Sequence, residues 1–371
     1  MSQLKKLGFL MSHFGVIAII LGFYYVDKNF VYFGIIYSYI IVPLLDEMVG
    51  KDRGNVEKEH FEGLLNDRFF DFAVYFHVYA QYALMFWVGY ILVFDSLSTA
   101  QIIGLVFSQG IYAGTIINVA HELGHRQSKI AQFHAKAALL SVCYMHFIIE
   151  HNRGHHVNAA TPNDPATSKK NQTLFQFWKQ TVVGSYKSAW EIESKFVLKK
   201  SKTVWTWQNE MIRFAVYEAA FLIGFTVIFS LISGGFKWII PAFLVAQCLI
   251  AIFLLETVNY IEHYGLVRRE TTEGRFERVN PLHSWNANHL FSNLMLFHLQ
   301  RHSDHHAFAS RPYQILRHFD ESPQLPFGYP VMILMSTVPP LWFKVMNKEL
   351  EKWERNAVDA EHISKVVKQF A

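Results

Sequence analysis

The chain has 371 residues, of which 51% are hydrophobic and only 17% charged, with a formal net charge of +4. A soluble domain carries about 25% charged residues, so this composition excludes an ordinary aqueous globule and points to a bilayer. The mild positive balance gives no footprint for nucleic acid, and two cysteines, Cys143 and Cys248, are too few and too far apart for a disulfide framework, a zinc ribbon or a cysteine-bound iron–sulfur centre.

A membrane-crossing helix needs about 20 largely apolar residues. Six stretches meet that need, at 7–25, 30–49, 69–94, 100–120, 211–233 and 237–258. The first follows Lys5 and Lys6 and is read as an anchor, because no small-residue cleavage site appears in FYYVDKNF. The short links at 26–29, 95–99 and 234–237 carry only Lys28 and Lys237 as cations. By contrast, 51–68 carries Lys51, Arg53, Lys58 and Arg68, and 121–210 holds a dozen Lys and Arg. The positive-inside rule therefore places both termini and the long connections in the cytosol. The apolar run 327–346 is interrupted by Pro330, Pro339 and Pro340 and is expected to be broken or interfacial, and 135–149 is too short to span. The expected architecture is an all-α integral membrane protein. It is a single domain over 1–371, with about six transmembrane helices and cytosolic catalytic segments at 121–210 and 259–371.

Nineteen histidines are the anomaly of the composition, and their placement carries the chemistry. HELGH at 121–125 follows the fourth apolar stretch, and His121 and His125, four apart, share one helix face. Alone, H-E-x-x-H reads as two ligands of a zinc ion with Glu122 as general base. EHNRGHH at 150–156 repeats the spacing with His151 and His155, and His156 extends it. His263 stands in NYIEHYG just past the sixth stretch. LQRHSDHH at 299–306 brings His302 and His306, again four apart, with His305 between them. All nine fall on the expected cytosolic side, whereas the other ten are expected in hydrogen-bonded core, interface or surface positions. Zinc sites use three or four protein ligands, so nine imidazoles exceed one ion and suit two metals of four or five ligands each. Imidazole accepts iron, zinc, copper or nickel, so ligand type leaves the metal open. Glu122, Glu150, Glu262 and Asp304 stand beside these boxes as candidates to accept the second ring N–H of a ligating imidazole.

Together HELGHR, EHNRGHH, NYIEHYG and LQRHSDHH, in this order, resemble the membrane alkane 1-monooxygenases (alkane omega-hydroxylases). These belong to the wider histidine-rich, non-haem di-iron desaturases and hydroxylases of membranes. The resemblance runs from PLLDEMVGKD at 43–52 through HSWNANHLFSNLMLFHLQRHSDHH at 283–306 to LPFGYP at 325–330, with Arg126 where the family often has lysine. It implies that the nine histidines bind two iron ions, with dioxygen as co-substrate. It further implies terminal hydroxylation of medium-chain n-alkanes taken from the bilayer. The chain shows no flavin fingerprint or haem site, so electrons are expected from outside. The resemblance names their source as rubredoxin, itself reduced by an NAD(P)H-dependent rubredoxin reductase. A bacterial inner membrane is the expected location. A related fatty-acyl desaturase or hydroxylase, or a xylene-type methyl hydroxylase, would keep the iron and change the substrate. An intramembrane zinc protease would use HELGH alone, and a metal transporter would set its histidines along the membrane midplane.

Overall fold

The computed structural model describes residues 1–356 and 360–369. Its first helix, α1 (Gln3–Gly8), bends away from α2 (Met11–Tyr25), so the expected single stretch 7–25 is divided. The bend lets the cationic tips leave the apolar layer: Lys5 pairs with Asp52 at 2.5 Å and Lys6 with Asp67. The next crossing, α3 (Lys28–Val49), opens as a 3₁₀ helix and widens into a π turn at Tyr37–Ile41. Pro43 follows that turn and has no N–H to return to the preceding carbonyls, which suits a local widening. Helices α4 (Arg68–Phe94) and α5 (Thr99–Gly124) are the next two crossings. A capping box, Ser98 with Gln101, starts α5.

Five helices among the described residues are long and apolar enough to cross a membrane: α3, α4, α5, and the later α9 (Glu210–Ile232) and α10 (Ile239–His263). The chain is an all-α integral membrane protein, with only a two-residue and a three-residue strand, paired at 270–276, among the described residues. Helix α5 is the central strut, and α9 lies outermost, burying only Met211, Phe214, Phe225 and Phe229. Where α5 crosses α10, a Cβ on Gly110 would lie 2.6 Å from Ile250, and one on Gly114 would lie 3.1 Å from Leu254. The G-x-x-x-G spacing thus lets two backbones approach where lipid offers no hydrophobic drive to association.

Between α5 and α9 the chain departs from the expected cytosolic course. Helix α6 (Lys129–Leu140) and a second helix, α7 (residues 147–158), form a hairpin that enters the bundle between the crossings. Tyr82, fourteen residues into α4, donates to the Ala137 carbonyl at 2.8 Å. Gln247, sixteen residues before His263, donates to the Ser141 carbonyl at 2.7 Å, and Met145 N donates to Glu218 at 2.8 Å. At 1.5 Å per helical residue, the tip lies about 20–25 Å from the Arg68 end of α4 and the His263 end of α10. Neither arm could span alone. At the buried turn, polar side chains of the crossings thus satisfy the Ser141 carbonyl and the Met145 N–H, the condition for irregular chain at membrane depth. Helix α8 (Leu174–Leu198) then packs outside α7, started by a second capping box, Thr173 with Gln176.

After α10 come two short helices, α11 (Leu290–Met295) and α12 (His302–Ala307). The apolar run at 327–346 is broken into α13 (Tyr329–Ser336) and α14 (Pro339–Asn356).

Candidate metal centre

Four segments bring the nine histidines to one end of the bundle. HELG is the last turn of α5, and His263 is the last residue of α10, so both crossings run further than the expected ends at 120 and 258. Consecutive left-handed residues, Phe297 (φ 53°) and His298 (φ 55°), reverse the chain after α11 and aim α12 at the same point. Non-glycine residues adopt this conformation at a cost, and here packing holds it: His298 Nδ1 meets the Tyr313 carbonyl at 2.9 Å. His298 belongs to neither histidine set below.

The nine imidazoles divide into two sets. His121, His125, His151, His156 and His305 form one; His155, His263, His302 and His306 form the other. Within each set the candidate ligand atoms lie within 4.8 Å of one another. The division departs from simple i, i+4 pairing. His121 and His125 stay together, as do His302 and His306, but His151 and His155 separate. The reason is a π turn at His151–His155, which brings residues five apart onto one face. His151 Nε2 therefore meets His156 Nε2 at 3.0 Å, and His155 faces His306 Nε2 at 3.2 Å. In α12, His305 points to the first set, with its Nε2 2.8 Å from His121 Nε2 and 3.1 Å from His156 Nε2.

This arrangement fits a pair of cations. His155 Nδ1 donates to Asp164 Oδ2 at 2.9 Å, which leaves a lone pair on Nε2 facing another imidazole. His306 Nε2 also lies 2.9 Å from His302 Nε2, while Nε2 of His125 and of His263 is buried with no hydrogen-bond partner. Protonation is not a general answer. Burial holds His151, His156, His302, His305 and His306 well below the usual imidazole range, and neighbouring rings add to the effect. His155 is the exception. Burial disfavours its cation, but the Asp164 carboxylate outweighs that and raises its pKa to about 9. Asp164 thus favours a positive charge on this ring, and a metal ion on Nε2 would supply one. Neither set includes a cysteine or a carboxylate, and all-imidazole donors suit iron, zinc, copper or nickel.

The carboxylates differ from expectation in three cases of four. Glu262 does back a ring, with Oε1 3.2 Å from His302 Nδ1, off the line of a hydrogen bond, and it accepts from Tyr329 OH at 2.8 Å. Glu122 turns instead to Arg126 at 2.9 Å, which also meets Asp71 at 2.5 Å; this ion pair ties α5 to α4 and leaves Glu122 unsuited to serve as a protease base. Asp304 accepts from Arg311 at 3.0 Å and from Arg317 at 3.0 Å, clamping the loop after α12. Glu150 takes only a long bond from Ser188, at 3.4 Å. Guanidiniums thus engage Glu122 and Asp304, and a hydroxyl engages Glu150.

Sequence reasoning missed Asp164. It lies in the loop TPNDPAT, nine residues after His155, where no helical spacing links the two. Asp46 and Asp52, within PLLDEMVGKD, act as supports: Asp46 accepts from Ser292 N at 2.8 Å, and Asp52 meets the buried Arg301 at 3.3 Å.

Comparison with known proteins agrees with this geometry. The fatty acid desaturase family model matches residues 96–335, well over half of the chain. The chain is 42% identical over 325 residues to an alkane 1-monooxygenase of Acinetobacter baylyi, covering 88% of this chain and 78% of that protein. It is 40% identical over 316 residues to alkane 1-monooxygenase 1 of Pseudomonas aeruginosa, covering 84% and 81%. A xylene/toluene monooxygenase hydroxylase component of Pseudomonas putida is more distant, at 28% over 262 residues, covering 69% and 66%. The chain belongs to the fatty acid desaturase family and, within it, to the alkane 1-monooxygenases.

Proposed function

We propose that the chain hydroxylates the terminal carbon of medium-chain n-alkanes to primary alcohols, with two iron ions held by the two histidine sets. The observation that carries this reading is a line of three small cavities, sharing lining residues, that ends at the histidines. A cavity of about 80 Å³ lies between α3, α5, α10 and α13, lined among others by Tyr39, Gly114, Leu254 and Ile333. Through Asn118, Leu255, Val258 and Leu299 it adjoins a cavity of about 10 Å³ bordered by His121, His151 and His302. In the other direction, Ser38, Ile111, Thr115 and Met295 join it to a cavity of about 30 Å³ beside α2. From Ser108 to His121 this route spans about 20 Å at the helical rise. Side chains restrict a hydrocarbon to end-on approach, so the terminal methyl meets the site by position rather than by bond strength. Iron bound here would supply the activation of dioxygen that an unactivated C–H bond requires.

Two electrons per turnover come from outside, from a rubredoxin reduced by an NAD(P)H-dependent reductase in this reading. A polar groove of about 1090 Å³ supports it: Arg153, Lys169, Lys170 and Lys187 line it, and Asp164, bonded to His155, forms part of its floor. Such a patch attracts an acidic carrier. The distribution of cations supports cytosolic termini and a bacterial inner membrane as the location.

Purified chain reconstituted with iron is expected to hold about two irons and to convert octane to 1-octanol only when rubredoxin and its reductase are present. Turnover on NADH alone, or one zinc in the active preparation, refutes the reading. Preferential oxidation of xylene or desaturation of an acyl chain assigns a sibling activity.

Ser38 sits where two cavities join. Ser38→Phe is expected to close that junction. The longest accepted alkanes should be lost by roughly tenfold or more in kcat/KM while octane is retained, as a chain-length series read by gas chromatography would show. Equal retention of all lengths would place the substrate elsewhere.

A further inference from the structure

Helix α8 separates two unlike grooves. On one flank lies the polar groove that has Asp164 in its floor. On the other, between α8 and α9, lies an apolar groove of about 700 Å³, a size common among ligand sites. Lys187 and Glu191 line both, so α8 follows the boundary between water and lipid. The apolar groove forms because α9 presents small side chains, Ala215 and Ala219, opposite Tyr186 and Trp190 of α8. From Met211 to Ala219 it runs about 12 Å along α9, close to the roughly 15 Å of hydrocarbon in one leaflet.

The mouth of the groove has the chemistry of a headgroup layer. Trp205 lines it, 75% exposed, with its ring 5.5 Å from that of Trp190. Trp207 packs edge-on against Tyr217 beside it. Such rings at the end of a crossing sit at headgroup level. Residues 194–209 carry Lys195, Lys199, Lys200 and Lys202 and no carboxylate, and all four lysines are exposed. Lys200 lies over the Phe196 ring at 4.6 Å, an apolar stem with its charge at the boundary. The carboxylates that flank the segment are occupied: Glu193 by Arg153, and Glu210 by Lys136 and Arg213. Glu191 reaches Lys195 only at 4.0 Å, and both side chains are more than two-thirds exposed, so that pair does little to neutralise the lysines.

We propose that the groove seats one anionic phospholipid from the leaflet on the histidine side, with an acyl chain between α8 and α9 and its phosphate among the lysines. A bare hydrocarbon would make no use of the lysines. A second copy of the chain, seated two-fold on this face, would set the lysines against their own counterparts. The inference does not depend on the reaction. Where α8 and α9 meet, Glu193 accepts from Glu210 N at 3.1 Å and from Arg153, within the π turn of the histidines, at 3.1 Å. A lipid wedged between the two helices therefore braces a contact that reaches the metal site.

The test places the full-length protein in nanodiscs of phosphatidylglycerol and phosphatidylcholine in equal parts, then extracts it with detergent for native mass spectrometry. One phosphatidylglycerol per chain is expected to survive extraction, with about tenfold preference over phosphatidylcholine. Ala215→Phe with Ala219→Phe fills the groove, leaves every lysine, and should lower that retention at least tenfold. Lys195→Gln, Lys199→Gln, Lys200→Gln and Lys202→Gln combined keep the groove and should bring the two lipids to parity. Lys187 is left in place because it also lines the polar groove. The lysine variant changes only exposed side chains, so it decides the matter if the filled groove destabilises the bundle. Equal retention of both lipids by the native chain overturns the proposal, as does native phosphatidylglycerol retention in the lysine variant or in a folded groove-filled variant. A lipid-free dimer that the groove-filled variant splits also overturns it, because the face would then join two copies.

Discussion

Replacing His263 with alanine is expected to remove about one metal ion per chain and to lower alkane hydroxylation by more than about a hundredfold. His263 belongs to the four-member set with His155, His302 and His306, and its Nε2 is buried with no protein partner. Taking away that ring leaves three imidazoles and a void at the end of α10. Groups that merely support a ligand cost roughly 10–100-fold when removed, so loss of a ligand exceeds that range. The five-member set keeps its own donors, and metal content should fall by one ion rather than by two. Elemental analysis of the purified variant, beside its 1-octanol yield, reads both quantities. His298→Ala is the matched control. His298 is buried nearby, but its Nδ1 bonds the Tyr313 carbonyl, so its loss should reduce thermal stability and leave metal content native. Unchanged metal and activity in the His263 variant would remove the four-member set from the chemistry.

The nine histidines were readable as a group because their signal is local: H-x-x-x-H places two rings on one helix face. The partition between two sets was not, because it depends on backbone that departs from the α-helix. The π turn at His151–His155 reassigns His155, and the left-handed pair Phe297–His298 fixes where α12 points. Most crossing helices were legible to within a few residues, since hydropathy acts on each segment by itself. The hairpin of α6 and α7 was not. Its depth depends on tertiary partners, Tyr82, Glu218 and Gln247, on three different crossings. Carboxylate roles failed for a related reason. Adjacency in sequence puts Glu122 and Asp304 next to ligands, yet on a helix neighbours point apart, and arginines meet them there.

Asp164 follows from that same contrast, being distant in sequence and adjacent in space. Asp164→Asn is expected to weaken metal binding by about 10–100-fold, with the greater loss in the set containing His155. The native carboxylate is buried and accepts from His155 Nδ1 at 2.9 Å, from Thr167 Oγ1 at 2.5 Å and from Ala166 N at 3.1 Å. An amide oxygen can still accept one of these bonds, so the loop should survive. What disappears is the negative charge that orients the ring and raises the basicity of the ligand nitrogen. Asp164→Ala adds an orphaned Thr167 hydroxyl and should lose both metal and thermal stability. Titration with a competing chelator separates the two effects, because the Asn variant should release metal at lower chelator concentration while melting near the native temperature. If the Asn variant retains metal as tightly as the native chain, then the π turn alone orients His155, and the carboxylate serves only to brace the loop at 159–168.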